Sequence, residues 1–451
     1  MKQLLKTITF LLIINQLAAQ QIYVSTKGHN SNIGTAQKPV ATLQKAQALV
    51  RDFKNANPGF AGEIVVTVMP GTYELSSSLS FNEQDAGSDK IQVRWQAFAK
   101  NKVILSGGKN INGRLFKKVT NPSITTRLEK NAAENVVEVS LTKLGITNFG
   151  EHKSYGHGQP VIPAPLELYY NQNPLLLAHY PNNGAVKIGK VIDKGSVPRI
   201  GDKSNRGGLF NYTDNRQSKW IGQKDIWIQG TFNYGFADDY INIANIDTTK
   251  KEIKLASPHI YGIAHGRDFQ EYIAYNILEE LDSPGEWWLD KKTGMLYVWP
   301  PINSKGNSDI ATANISVSVL ETPIVSITNA QHLTLEGFTI EAGRGMGIYL
   351  EGGSNNTIAG CTVRNLGTSG IFMGQGAEAK QKDMSIDDFD GIPTSGIIGS
   401  LQNYLYKNTS WNRNAGFNQT IISCDVYNTG SGGIYLSGGD KRTLTKANNI
   451  V

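Results

Sequence analysis

Between Leu333 and Asp440 one short phrase of sequence is written three times. LTLEGFTIEAGRGMGIYLEGG, TIAGCTVRNLGTSGIFMGQG and TIISCDVYNTGSGGIYLSGGD align with Phe338, Cys361 and Cys424 in register, 23 and then 63 residues apart, as if one coil carried 40 extra residues. A unit of strand, turn and strand this short cannot bury its own apolar face and must stack on its neighbours, so the chain is a solenoid. Apolar positions recur with strand parity. Leu335, Phe338, Ile340, Ile348 and Leu350 of the first unit correspond to Ile358, Cys361, Val363, Ile371 and Met373 of the second, with a bend near Gly360. In the third they correspond to Ile421, Cys424, Val426, Ile434 and Leu436. These side chains are expected to point inward and, with coils about 4.8 Å apart, to form ladders. Asn365 and Asn428 align after a strand and read as an amide ladder satisfying backbone groups at a tight turn. Gly347, Gly370 and Gly433 align as well and mark a left-handed or closely packed backbone position. The fold class expected is all-β, a parallel β-helix.

The first residues follow the order of a signal peptide: Lys2 and Lys6, an apolar stretch from Ile8 to Ile14, then Leu17-Ala18-Ala19-Gln20, with cleavage expected near Ala19 or Gln20. That stretch falls short of the roughly 20 residues of a membrane helix, and no later segment approaches this length. No cysteine stands near the cleavage point to carry a lipid anchor, so the expected location is secreted or periplasmic. The net charge of +6 includes Lys2 and Lys6, and the +4 left without them makes no basic patch of the nucleic-acid kind. The two cysteines, Cys361 and Cys424, occupy equivalent inward positions. Stacking distance permits a disulfide, but a flat ladder seldom offers the required dihedral, so they read as small core hydrophobes.

Residues 1–20 are thus a leader. Residues 21–116 hold a strand, a helix entered through Thr42 with Leu43, Ala46 and Val50 on one face, and short strands that read as an N-terminal cap and first coils. The repeat vanishes over 117–302, where aromatic segments such as LELYYNQNPLLLAHYP and GEWWLDKKTGMLYVWPP read as an inserted β domain. Coils resume over 303–451, with a loop excursion at about 377–417.

The order of IYVST, PVATLQKAQALVRD, VMPGTYEL, NILEELDSPGEWWLDKKTGMLYVWPP and coils ending in YLSGGDKRTLTKANN resembles the right-handed parallel β-helix proteins of the pectate-lyase-like superfamily. More narrowly, it resembles the polysaccharide-degrading bacterial group that includes β-helix glycoside hydrolases. The resemblance covers nearly the whole chain. It implies the fold and polysaccharide-utilising company, and it is less specific for reaction, because that superfamily holds hydrolases, lyases, epimerases and adhesion proteins. Such proteins usually continue for several coils past the GGDKRTLT-type segment. This sequence ends at Asn448-Asn449-Ile450-Val451, which reads as the start of another strand, so C-terminal coils are expected to be missing.

With the interior filled by ladders, chemistry is expected on outward positions and adjoining loops. Tyr349, Phe372 and Tyr435 alternate with the inward residues and form an outer aromatic row suited to sugar faces, unless the insertion covers them as ordinary packing. Asp440 closes a Ser-Gly-Gly-Asp turn beside Lys441 and Arg442, and either serves as a catalytic carboxylate or accepts backbone N–H groups in its own turn. Glycoside hydrolysis needs two carboxylates about 5 Å or about 6.5–9.5 Å apart. The candidate partners are Glu351, Glu341 with Arg344 nearby, and less strongly Asp425. In the excursion, Trp411 is a candidate sugar contact. Asp387, Asp388 and Asp390 could share calcium, yet they lack the EF-hand spacing and read as a solvated acidic loop, so no cofactor is expected. The acidic cluster around Trp287 and Trp288 reads as structural. No paired metal spacing, phosphate loop or nucleophile elbow is present.

Three functions fit these residues. The first is a secreted glycoside hydrolase acting on a plant or algal polysaccharide, with Asp440 as one of two carboxylates. The second is a polysaccharide lyase, in which Lys441 or Arg442 takes the proton beside a uronate carboxyl group and a cation stabilises the developing charge. The third is a glycan-binding surface protein that uses the aromatic row alone. The expected partner is a polysaccharide, without nucleic acid or membrane insertion, and a capped solenoid suits a monomer.

Overall fold

The computed structural model describes residues 18–379, 391–396, 399–400 and 412–451. Three parallel sheets run the length of a β-helix. The first stacks Ala18–Val24, Gly62–Val68, Ile91–Ala97, Leu333–Glu336, Thr357–Ala359 and Thr420–Ile422; the second stacks Gly71–Glu74, Val103–Ser106, Thr339–Gly343, Thr362–Leu366 and Asp425–Thr429. The third stacks Leu79–Phe81, Val325–Thr328, Ile348–Glu351, Ile371–Met373 and Ile434–Tyr435. Registers follow the sequence repeat: Leu335, Ile358 and Ile421 are partners, as are Ile340, Val363 and Val426, and Ile348, Ile371 and Ile434. The ladders form one continuous core from Ile22 to Ile421. Leu436 departs from it at 49% exposure: the third-sheet strand of the outermost described coil ends at Tyr435, one residue before it. The thiols of Cys361 and Cys424 are free.

The helix Leu43–Ala56 covers one end of the core. The Thr42 side chain caps it by accepting from Lys45 N, and Leu43, Ala46 and Val50 are buried beneath it.

Left-handed residues turn the corners. Gly337, Gly360 and Ser423 have φ of 76°, 59° and 55° at equivalent positions between the first and second sheets. Past the second-sheet strand, Ala342, Asn365 and Asn428 share φ of 51–61°. There Asn428 Nδ2 donates to Asn365 Oδ1 at 3.2 Å, and Asn365 Nδ2 donates to Gln172 O at 2.7 Å, because Ala342 below offers no amide. A second ladder precedes the first sheet, where Asn448 donates to Asn418, Asn418 to Asn355, and Asn355 faces the ring of His332. Inside the core lies a third: Leu333 N donates to Asn356 Oδ1, Asn356 N to Gln419 Oε1, and Gln419 N to Asn449 Oδ1. Gly347 and Gly370 belong to close packing and not to left-handed turns, since a Cβ on Gly370 would lie 2.3 Å from Val426 Cγ1.

The insertion interrupts one coil between Ser106 of the second sheet and Val325 of the third. It leaves along Gly108–Asn112 and returns along Asn314–Ser318, paired antiparallel, with Val319 and Leu320 N–H both donating to Gly107 O. It is therefore longer than the expected 117–302 at both ends, because its neck strands GKNIN and NISVS carry the same alternation as coil strands. Its core centres on Phe210, Trp220, Phe232, Ile241 and Tyr272. A small sheet of Pro160–Val161 with the excursion strands Gly376–Ala379, Gly391–Thr394 and Gly399–Ser400 joins insertion to excursion.

Asn356 is fully buried, and its Nδ2 also donates to Ala330 O at 2.9 Å. Asn356→Ala strands the Leu333 N–H and leaves the Ala330 carbonyl only its bond from Ser354 N, and is expected to cost about 1–3 kcal/mol. A lowered urea midpoint at unchanged slope checks this.

Candidate active site

A cleft of about 1350 Å³ opens between the insertion and the solenoid. One wall is the large sheet of the insertion, which presents Gln229, Asp238, Tyr240 and Tyr275; the other is the Gly- and Pro-rich segment 151–167, backed by Gly367, Gly430 and Ser431 at coil corners. Segment 151–167 adds to the sheet edge: His157 N donates to Asp238 O at 2.8 Å and Tyr240 N to Tyr155 O at 3.0 Å. Gly156 between them sits at φ 117°, where a Cβ would lie 2.6 Å from Asp238 O, so only glycine lets the two backbones meet. Tyr155 stacks on Tyr240 at 4.7 Å and Tyr240 on Trp227 at 4.9 Å. The Tyr240 hydroxyl shares a 3.1 Å hydrogen bond with His152 Nδ1. Burial, with the nearby Lys291 charge, pushes the His152 imidazolium down to about 4, so that ring is neutral at ordinary pH.

Three carboxylates line this space, Glu151, Glu167 and Asp238, and Glu151 pairs with Lys291 at 3.4 Å. Glu167 lies on the segment opposite the sheet, and burial raises its carboxyl above the ordinary range against the opposing hydrogen bond of Tyr169. The Tyr169 hydroxyl lies 2.7 Å from Glu167 Oε2 and 3.1 Å from Asn365 O. One hydroxyl proton cannot serve both acceptors; when it goes to the carbonyl, Glu167 must bring a proton of its own. Asp238, on the facing sheet, is exposed. Burial foremost, then the fields of Tyr275, Asp238 and Glu167, push the Tyr155 phenol up. A carboxyl whose pKa is raised by burial and a second, solvated carboxylate around aromatic walls can perform acid and base chemistry on a sugar chain.

Among the described residues, none of those expected from sequence lines this cleft. Glu341 is buried in a pair of 2.7 Å contacts with Arg364. Arg344 is buried where coil meets insertion, donating to Ala164 O at 2.6 Å and pairing with Glu321 at 2.7 Å, so it positions the wall segment. Glu351 is buried too, accepting from the Tyr349 hydroxyl, Gln375, Ser395 and Asn414. The aromatic row exists as a stack, Tyr349 on Phe372 at 6.3 Å and Phe372 against Tyr435 at 5.3 Å. Tyr349 and Phe372 are each only 2% exposed, and the row packs against Met346 and Val161 of the insertion, so it offers no free face to a sugar. It supports the wall at Pro160–Val161 instead.

Asp440 accepts from the backbone N–H of Arg442 at 2.8 Å and of Thr443 at 3.2 Å, which hold its carboxyl below the ordinary range. This is the turn-capping role, with Lys441 and Arg442 exposed beside it. Asp425 lines a separate groove of about 440 Å³ with Arg364 and Tyr427. Trp411, Asp387, Asp388 and Asp390 lie outside the described residues, and among the described residues no cluster of His, Cys, Asp and Glu could hold a metal ion. Sequence reading missed Tyr155, Glu167 and Asp238. The available signal was YGHGQPVIPAP, whose glycines and prolines forbid regular structure while carrying a tyrosine and a histidine.

A family model described as the right handed beta helix region matches residues 323–451. No curated protein matches the chain in sequence. A solved structure named "Glycoside hydrolase" superposes with a TM-score of 0.63 at 16% identity, over 91% of this chain and 74% of that one. Another, "The complex structure of XylC with xylose", covers 90% of this chain and 50% of its own at 12% identity, and its TM-score of 0.36 gives it no weight. The protein is a right-handed parallel β-helix, similar in fold to the first of these structures.

Asp239, on the opposite side of its strand from Tyr240, is 1% exposed with Oδ2 unpaired, and burial raises its carboxyl to about 8. A folded pKa above the unfolded value means stability is full below about pH 4 and falls as pH rises towards 8, by on the order of 4 kcal/mol at pH 7. Asp239→Asn removes this slope. Urea unfolding at about pH 5 and about pH 8 should show the variant's advantage growing with pH.

Proposed function

We propose that this right-handed β-helix protein is a secreted or periplasmic glycoside hydrolase that cleaves a polysaccharide in the cleft between insertion and solenoid. Glu167 protonates the leaving glycosidic oxygen, and Asp238 on the facing wall activates water or attacks the anomeric carbon. The observation that carries this reading is the pair itself: a carboxyl whose burial favours its protonated form and an exposed carboxylate, lining one aromatic cleft. Tyr155 supplies the aromatic contact and hydroxyl for the sugar, backed by the buried Tyr240 ring that is stacked between Tyr155 and Trp227 and whose hydroxyl neutral His152 holds. The similarity of fold to a structure named a glycoside hydrolase agrees with this class of chemistry. Lys441 and Arg442, the bases a lyase reaction would have used, do not line the cleft.

The test is incubation with neutral and uronate-containing glycans while reducing ends and ultraviolet absorbance are followed together. New reducing ends without absorbance are expected. Glu167→Gln should lower kcat by about 10²–10⁴, whereas Asp440→Asn should retain activity within about threefold, since an amide oxygen still accepts the two backbone N–H groups. The opposite ranking overturns the assignment. Because the acid must carry its proton, kcat/KM should fall as pH rises through the raised Glu167 pKa, and this limb should vanish in whatever activity Glu167→Gln retains.

A further inference from the structure

At one end of the cleft the insertion holds two aromatic rings out of its core. Phe236 is 66% and Tyr234 45% exposed, yet they are parallel to within 12° at 5.6 Å. Exposed rings usually float; these are fixed. Tyr261 meets Tyr234 edge-on at 5.1 Å and Phe236 at 5.9 Å, and His157 meets Phe236 edge-on at 5.6 Å. The loop beneath is equally constrained. Asn233 Nδ2 donates to Tyr261 O at 2.9 Å, Gln270 Nε2 donates to Asn233 O at 2.9 Å, and Ala237 N closes a turn on Tyr234 O at 3.0 Å. Gly235 lies between the two residues, where a Cβ would meet the Phe269 ring at 3.3 Å, so the loop presses one side on Phe269.

We infer that Tyr234 and Phe236 form a stacking platform for the apolar face of a pyranosyl residue in a polymeric glycan, remote along the chain from the sugar held between Glu167 and Asp238. The inference rests on the cleft being the glycan site, though not on turnover. Its argument is continuity: Phe236, Tyr261 and His157 line the same cleft as Glu167 and Asp238, and a contiguous rigid apolar patch beside a polar cleft marks a binding surface. Rings pre-positioned before binding lose little entropy when a sugar stacks on them, and a single stacking face suits a repeating chain better than a lone monosaccharide.

The experiment is affinity electrophoresis of the full chain through gels containing xylan, hydroxyethylcellulose, polygalacturonate or alginate, in the Glu167→Gln background so that glycan consumption is slowed. At least one glycan should retard the protein. Phe236→Ala and the Tyr234→Ala/Phe236→Ala pair should weaken the apparent Kd roughly three- to tenfold, and Phe236→Trp should restore it, which a folding defect would not allow. Equal retardation of all variants overturns the platform while leaving the hydrolase reading intact. No retardation by any of the four glycans also overturns it. A change of molecular mass by light scattering in Phe236→Ala would assign the patch to contact between two copies of the chain, and so overturn it as well. Failure of Glu167→Gln to lower product formation would instead count against the hydrolase reading alone.

Discussion

The coil from Leu335 to Ile358 turns its corners within 23 residues, and the left-handed residue is what allows it. A corner in that conformation aims backbone groups away from the sheets, and asparagine is the side chain that both tolerates the geometry and supplies an amide to the next coil. The rows Asn365–Asn428 and Asn355–Asn418–Asn448, with the row Asn356–Gln419–Asn449 whose first two members are buried, are hydrogen-bonded along the solenoid axis much as the strands are. They fix register from coil to coil. Apolar ladders alone would tolerate slippage between residues of similar shape.

The same corner reaches the candidate acid. Asn365 anchors its amide on Gln172 of the insertion, and its carbonyl faces the Tyr169 hydroxyl that also faces Glu167. The backbone position of one solenoid corner therefore helps decide whether Glu167 accepts a proton from Tyr169 or holds its own. Arg344 and Glu351 act nearby as tethers, the first to the insertion and the second to the excursion. Their charges serve attachment of the parts that wall the cleft.

What was legible in the sequence was whatever repeats. The registers of Leu335, Ile340 and Ile348 with their later counterparts, the helix under Thr42 and the amide role of Asn365 and Asn428 follow from spacing and from what each side chain can bond. The aromatic row was legible as a stack but not as covered. Its cover comes from Val161, almost two hundred residues earlier, and from Ser395, and no local pattern encodes that approach. Glu341 and Glu351 read as outward charges for the same reason: alternation gives the face a residue occupies and says nothing about what lies over it. Glu167 belongs to a segment without period, where the only local sign is Gly and Pro punctuation, and Asp238 opens a strand of the insertion about seventy residues later that no repeat links to it.

The neck of the insertion has a consequence for how such a molecule diversifies. Because the outgoing and returning strands pair with each other and both close on Gly107, the whole inserted domain is topologically one enlarged loop at a single corner. The solenoid beneath needs only two adjacent ends at that point, whatever lies between them. Lineages can therefore exchange, enlarge or shorten the cleft wall as a cassette while keeping the scaffold, and the ligand range of such proteins can drift faster than their fold.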